Sequence, residues 1–197
     1  LVDHADRVLS SVTGVVAQHC GWNRGVAIEW PGEDGTKVRR PIEDVKVGIK
    51  LAGVHWWYKS SSHAGELTAG YYNTRDRNGY EGIMEMLKRH GAVANFTAVE
   101  MRDCEQPDYA KCSPQGLLGQ LQETALAVGV PLAGENALQR YDKFALDQIE
   151  HASYGGEVRG AIESCPQLKR LTLLRMGQSM FDNWDAFESY IVSMNRS

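Results

Sequence analysis

The sequence predicts an α/β fold built on a parallel sheet, and three observations carry that prediction. Beyond residue 46, short apolar runs alternate with stretches whose apolar residues recur at helical spacing. The runs are short and nearly continuous in apolar character, as in strands buried on both faces. Their polar and charged residues fall at the C-terminal ends, where parallel sheets with helical crossovers gather their chemistry. With 197 residues, 43% of them hydrophobic and 23% charged, the chain is long enough for a sizeable core.

Taken in order, Ala5, Val8, Leu9, Val12, Val15 and Val16 predict an amphipathic helix over residues 3–18. Residues 21–45 are rich in Gly, Pro and charge, include Trp22 and Trp30, and read as a long loop or insertion. The Lys37-Val38-Arg39-Arg40 cluster within it reads as a solvated turn. Val45 to Val54 is the first strand, broken by Lys46 and Lys50 and running into His55-Trp56-Trp57-Tyr58-Lys59. Tyr80, Ile83, Met84 and Leu87 define a helix, with Gly91 where it should stop. Ala92 to Ala98 is the second strand, with Asn95 and Thr97 towards its end. Ser113-Pro114 supplies an N-cap and a first-turn proline for a helix with Leu117, Leu118, Leu121 and Ala125 on its apolar face. Val130 to Gly134 leads into Glu135-Asn136, after which Asp142 caps a helix carrying Phe144, Leu146 and Ile149. A polar, Gly-containing stretch over 152–168 precedes the last strand, Leu171 to Met176. Trp184, Phe187, Ile191 and Met194 form a closing helix.

The pattern is a helix followed by four strand–helix units. Right-handed crossovers put all the strand ends on one rim. A four- or five-stranded open sheet is the alternative to part of a barrel. However, no strand is followed by a glycine-rich phosphate loop: neither the Thr13-Gly14 step nor the Gly155-Gly156 pair makes a GxGxxG.

Composition narrows the function classes. A net charge of −4 argues against a nucleic-acid partner, which needs a concentrated basic face. No apolar run approaches the roughly 20 residues of a membrane span, and no secretory signal is visible, so no membrane partner is expected. Cys20, Cys104, Cys112 and Cys165 are scattered, as reduced cysteines of an intracellular protein are. No metal-ligand spacing is present, and neither metal nor cofactor is expected. The chain begins with Leu1 rather than Met and reads as a fragment.

The chemistry lies in what terminates the strands: Lys50 and His55 on the first, Thr97 on the second, Glu135 and Asn136 on the third, Arg175 on the last. An unpaired buried charge costs several kcal/mol, so such residues at one rim are expected to satisfy one another. A neighbouring cation favours the ionised form of Glu135. A carboxylate beside a His-Trp-Trp-Tyr stretch suits a sugar-cleaving site: flat aromatic faces stack on pyranose rings, and the carboxylate handles a proton or attacks C1. Singly, each feature has an ordinary explanation. His55 can be a structural histidine, Trp56 and Trp57 core, and Lys50 a snorkelling surface residue.

Several long segments then carry a resemblance. Ile49 to Lys59, His63 to Asn73, Asn95-Phe96-Thr97, Glu100-Met101-Arg102-Asp103, Gly134 to Leu138 and Leu174-Arg175 resemble, in the same order, the plant-type β-amylases of glycoside hydrolase family 14. The resemblance covers roughly residues 46–194. It implies a (β/α)8 TIM barrel of which this chain supplies about the last four β/α units, 1–197 being the C-terminal part of a single catalytic barrel. It implies inverting exo-hydrolysis of α-1,4-glucans such as starch, with release of β-maltose from non-reducing ends. Glu135 is then the catalytic general base, with Lys50 and His55 contacting substrate and Lys50 also helping to hold the base. Thr97 lies on a mobile inner loop, Asn136 and Ala137 line glucose subsites, Arg175 holds substrate or base, and Leu138 inserts into the glucan helix. The implied partners are the glucan and an N-terminal half of the barrel, and the implied compartment is plastid or cytoplasm.

This sequence departs from the family pattern in four places. The family's general acid is a glutamate in the first half of the barrel, and no residue here matches that motif. Residues 21–45 are longer than usual. Ala98 stands where Cys is common, and Gln139 where Pro is common. The family also contains non-hydrolytic members, so a glucan-binding or regulatory protein is the alternative function. A barrel enzyme using Lys50 as a Schiff-base nucleophile is a second one.

Overall fold

The computed structural model describes residues 2–19, 27–31, 37–41, 46–60, 73–153 and 168–194. Helix α1, Val2–His19, matches the predicted amphipathic segment and buries Leu9. Asp6 clips it to the next helix in space, accepting from Arg89 Nη2 at 2.9 Å and meeting His90 Nε2 at 3.0 Å. These two contacts, His90 first and Arg89 second, hold the Asp6 carboxyl below its ordinary value.

The segment read as a loop with a solvated turn instead contains an antiparallel ribbon, β1 (Ala27–Pro31) and β2 (Lys37–Pro41). Trp30 is paired with Val38, and Glu29 with Arg39. Lys37 to Arg40 are strand residues, their backbone groups engaged by β1.

Four parallel strands follow: β3 (Gly48–Leu51), β4 (Val93–Thr97), β5 (Leu132–Glu135) and β6 (Arg170–Thr172). They lie in sequence order, each hydrogen-bonded to the next. The crossovers carry α2 (Glu81–Arg89), α3 (Pro114–Val128) and α4 (Lys143–Ser153), and α5 (Gln178–Asp182) and α6 (Trp184–Met194) follow β6.

The helix boundaries have local causes. Gly91, at φ 60°, supplies the left-handed residue that ends α2. Ser113 caps α3, its hydroxyl accepting from Gly116 N at 3.2 Å and donating to Asp103 Oδ2 at 2.6 Å. Asp142 caps α4 through Ala145 N at 3.1 Å. Both outer strands of the sheet are shorter than the sequence suggested. The chain turns after β3, with Val54 N–H donating to Ala52 O at 2.9 Å. Beyond β6 the backbone of Leu174 is engaged by side chains rather than by a ladder.

Register decides which residues meet. Leu51, Phe96, Gly134 and Leu171 form one row across the sheet, and with Ala94 and Leu132 they face the helices. There they join Tyr80, Met84, Leu87, Leu117, Leu121, Leu146 and Ile149 in the core. The sheet approaches the packed side chains closely at Gly134: a Cβ there would lie 2.6 Å from Leu168 Cδ1 and 3.0 Å from Val99 Cγ1. The opposite face carries Lys50, Asn95, Thr97, Ala133 and Glu135, with Thr97 directly paired to Glu135. Period-2 alternation thus separates an apolar face against helices from a polar face at the C-terminal rim.

Candidate active site

Glu135 is the last residue of β5 and is buried, 5% exposed. Its carboxylate forms an ion pair with Lys50 Nζ. Lys50 starts two strands away, on the same face and one row back, so its long side chain spans the position of Asn95 on β4 to reach the carboxylate. Asn95 Oδ1 is buried and makes no hydrogen bond among the described residues.

Thr97 occupies the β4 position facing Glu135, and its Oγ1 accepts the Gly53 N–H at 2.9 Å. Gly53 is packed against this loop so closely that a Cβ would lie 2.9 Å from Thr97 O. Ala98 then turns the chain through φ 69°. With Glu100 of the loop after β4 accepting the Ala137 and Leu138 N–H groups, three consecutive loops, after β3, β4 and β5, are stitched together beside the carboxylate.

The third loop is tied to a fourth. Asn136 is fully buried; its Nδ2 donates to Leu138 O at 2.8 Å and Leu174 O at 3.3 Å, and its Oδ1 accepts Leu174 N–H at 2.5 Å. Tyr141 Oη also donates to Leu174 O, at 2.5 Å. Burial is the largest influence on the Tyr141 hydroxyl and pushes its pKa up. Arg175, at φ 56°, donates from Nη1 to Ala137 O.

Together these loops frame a cleft of about 440 Å³ lined by Lys50, Ala52, Thr97, Glu135, Ala137, Leu174 and Arg175. Five residues selected from sequence are therefore brought to one cavity: Lys50, Thr97, Glu135, Ala137 and Arg175. The other two are placed differently. Asn136 lies behind the wall as a fastener. His55 is buried away from the lining, its Nδ1 2.7 Å from Gly53 O and its ring stacked on Trp56 at 4.6 Å. Trp56 and Trp57 are exposed at 47% and 42%, not core. Leu138 is also exposed, at 43%.

Sequence reasoning missed Ala52, Leu174 and Glu100. Ala52 had a signal, being two residues beyond Lys50 on the same face. Glu100 is fully buried, and its carboxylate accepts the N–H groups of Ala137 and Leu138.

The arrangement holds a carboxylate against a lysine at the edge of a cavity of about 440 Å³. Among the described residues, no group of three or more His, Cys, Asp or Glu could hold a metal ion. None of the described helices is long and apolar enough to cross a membrane. Cys104 is exposed, Cys112 is buried with its Sγ donating to Ala110 O at 3.6 Å, and Cys20 and Cys165 lie outside the described residues.

Comparison with known proteins returns one family. The model of "Glycosyl hydrolase family 14" matches residues 18–196. The chain is 44% identical over its full length to "Beta-amylase 1, chloroplastic" of Oryza sativa subsp. japonica, covering 32% of that protein. Identity is 42% to "Beta-amylase 1, chloroplastic" of Arabidopsis thaliana, over 98% of this chain and 30% of that one. It is also 42% to "Beta-amylase" of Glycine max, over 77% and 31%. Among solved structures, the catalytic domain of beta-amylase from Paenibacillus polymyxa superposes with a TM-score of 0.59 at 26% identity, covering 77% of this chain and 34% of that one. The chain thus spans about a third of the length of these relatives. Its parallel sheet and crossover helices are a partial α/β barrel.

Proposed function

The chain belongs to glycosyl hydrolase family 14, and from that premise we propose that the whole protein is a β-amylase, removing β-maltose from the non-reducing ends of α-1,4-glucans with inversion. In this reading the four β/α units are the C-terminal part of one eight-stranded barrel, and the N-terminal half completes it.

The observation that carries the proposal is the pairing of buried Glu135 with Lys50 at the edge of the cleft. Glu135 is the general base. It takes a proton from a water lying between it and C1, and the resulting hydroxide equivalent attacks C1 from the face opposite the glucosidic oxygen. Lys50 holds the carboxylate in place through its ion pair and is a hydrogen-bond donor to substrate hydroxyls. Departure of the glucan oxygen requires a proton from a carboxylic acid in the other half of the barrel. Thr97 and Arg175 hold sugar hydroxyls from two sides, Ala137 packs against a ring, and exposed Leu138 inserts into the coiled glucan. Asn136 acts through the backbone of Leu138 and Leu174, and His55 through Gly53 and Trp56, whose exposed indole offers a stacking face. A Schiff-base role for Lys50 is disfavoured, because an ammonium held by a carboxylate is a poor nucleophile. The rice and Arabidopsis relatives are chloroplastic by name, which favours a plastid location for this protein.

Stereochemistry tests the proposal. Inverting sites keep their two carboxyl groups about 6.5–9.5 Å apart to admit the water. Proton NMR of maltose freshly released from soluble starch is expected to show the β-anomer before mutarotation. First appearance of the α-anomer would exclude the mechanism.

A further inference from the structure

Glu100 is a fully buried carboxylate outside the cleft lining, and the chemistry above does not use it. Burying such a group is costly unless its oxygens are satisfied. They are satisfied by backbone: Oε1 accepts Ala137 N–H at 2.9 Å and Leu138 N–H at 2.7 Å, and Oε2 accepts Ala137 N–H at 3.1 Å. Two successive N–H groups converging on one anion make a small backbone nest, occupied here by a side chain of the same protein.

The loop after β4 is shaped to deliver that side chain. Ala98 turns at φ 69°, Met101 N–H closes the turn on Ala98 O at 3.2 Å, and Val99 N–H reaches Glu135 O at 3.4 Å. Glu100 is thereby pinned directly behind the residues that follow Glu135. The Ala137 peptide is held from both sides, its N–H by Glu100 and its carbonyl by Arg175 from the loop after β6.

We infer that Glu100 is a positioning residue: it fixes the Ala137–Leu138 backbone, and so sets how tightly the cleft grips a glucan chain without taking part in proton transfer. The second half of this statement rests on the β-amylase reading; the first does not. Charge-assisted bonds to backbone amides are the stronger class. Glu100→Gln keeps the shape but loses the charge and turns a donor group towards an N–H. Glu100→Asp shortens the arm by one methylene and withdraws the oxygens.

The test uses the full-length protein and two independent readouts. By amide hydrogen exchange, the wild-type N–H groups of Ala137 and Leu138 should be protected as strongly as those of β5, although they lie beyond the strand. Glu100→Gln should speed their exchange at least tenfold while leaving Phe96 and Ala133 unchanged. If the two wild-type amides exchange at ordinary loop rates, or if a folded Glu100→Gln or Glu100→Asp leaves them protected, the inference is overturned. In maltose-release assays, KM for maltooligosaccharides should rise about tenfold or more, about 1.4 kcal/mol, with kcat within about threefold and its pH profile unmoved. A merely structural role would lower the melting temperature and leave KM alone. Protected Ala137 and Leu138 amides whose exchange Glu100→Gln speeds, in a protein whose wild type neither binds nor cleaves glucans, would uphold the positioning role and overturn the β-amylase reading instead.

Discussion

Gly134→Ala adds a single methyl one residue before the proposed base, and the structure sets its cost. The new Cβ would lie 2.6 Å from Leu168 Cδ1, 3.0 Å from Val99 Cγ1 and 3.4 Å from Leu171 Cδ1. Carbon atoms prefer about 3.5–4.0 Å, so the first contact must open by about 1 Å. Leu168 is partly buried and ends in a flexible side chain, so it can yield. Val99 is fully buried and β-branched, with one stiff rotatable bond, so it cannot move without shifting the backbone that leads to Glu100. Overpacking of this kind costs about 1–3 kcal/mol. Gly134 is not at positive φ, so the alanine also restricts the unfolded chain, recovering about 0.4–1 kcal/mol. The expected net loss is about 1–2 kcal/mol, accompanied by displacement of Glu135 and at least a tenfold fall in kcat. Urea unfolding of the full-length protein and maltose-release kinetics measure the two effects. A variant as stable and as active as wild type would refute the claim that this close approach seats Glu135.

Two further predictions concern the frame of the site. Asn136→Ala removes both donors to Leu138 O and Leu174 O and strands the Leu174 N–H; unsatisfied buried groups cost about 1–3 kcal/mol each, so a loss of about 2–4 kcal/mol is expected in chemical denaturation, and Asn136→Asp should restore little of it because its carboxylate faces two carbonyls. The pH dependence of the α1 clip follows from Asp6, whose carboxyl is held below 3.8 by His90 and Arg89. A depressed carboxyl contributes stability that is fully present above the unfolded value and is lost as pH falls through the folded one. Asp6→Asn should therefore weaken protection of α1 amides at pH 6, and the difference from wild type should vanish once pH is well below 3.8; a difference that persists there would contradict the ion-pair origin.

The alternation of apolar runs and helical spacing was enough to read the four parallel strands and their crossovers, because strand and helix periods differ and each strand's polar residues sit at one end. It also put Lys50, His55, Thr97, Glu135, Asn136 and Arg175 at one rim, since parallel strands in sequence order align their ends; of these Lys50, Thr97, Glu135 and Arg175 line the cleft, and Ala137 was legible only through the family resemblance. The ribbon of β1 and β2 was not legible: Glu29, Lys37, Arg39 and Arg40 break any apolar alternation, and the pairing is a partnership between two segments that neither announces alone. Strand ends were overcalled for a related reason. Leu171 to Met176 is apolar enough for a strand, but the Leu174 N–H is captured by Asn136 Oδ1 and its carbonyl by Asn136 and Tyr141, which removes both from the ladder. Glu100 was invisible as a functional residue because its partners are backbone amides, which carry no side-chain signature. Residues 154–167, most of the polar stretch read before the last strand, lie outside the described residues.

The central claim is that Glu135 is the base that activates water, and the full-length Glu135→Gln protein tests it most directly. The substitution keeps size and hydrogen-bonding capacity but cannot accept the proton. General-base assistance contributes about 10²–10⁴-fold, so maltose release from soluble starch should fall by that factor while maltooligosaccharide binding, measured by calorimetry, is retained. Turnover above about a tenth of wild type in the folded variant would contradict the assignment.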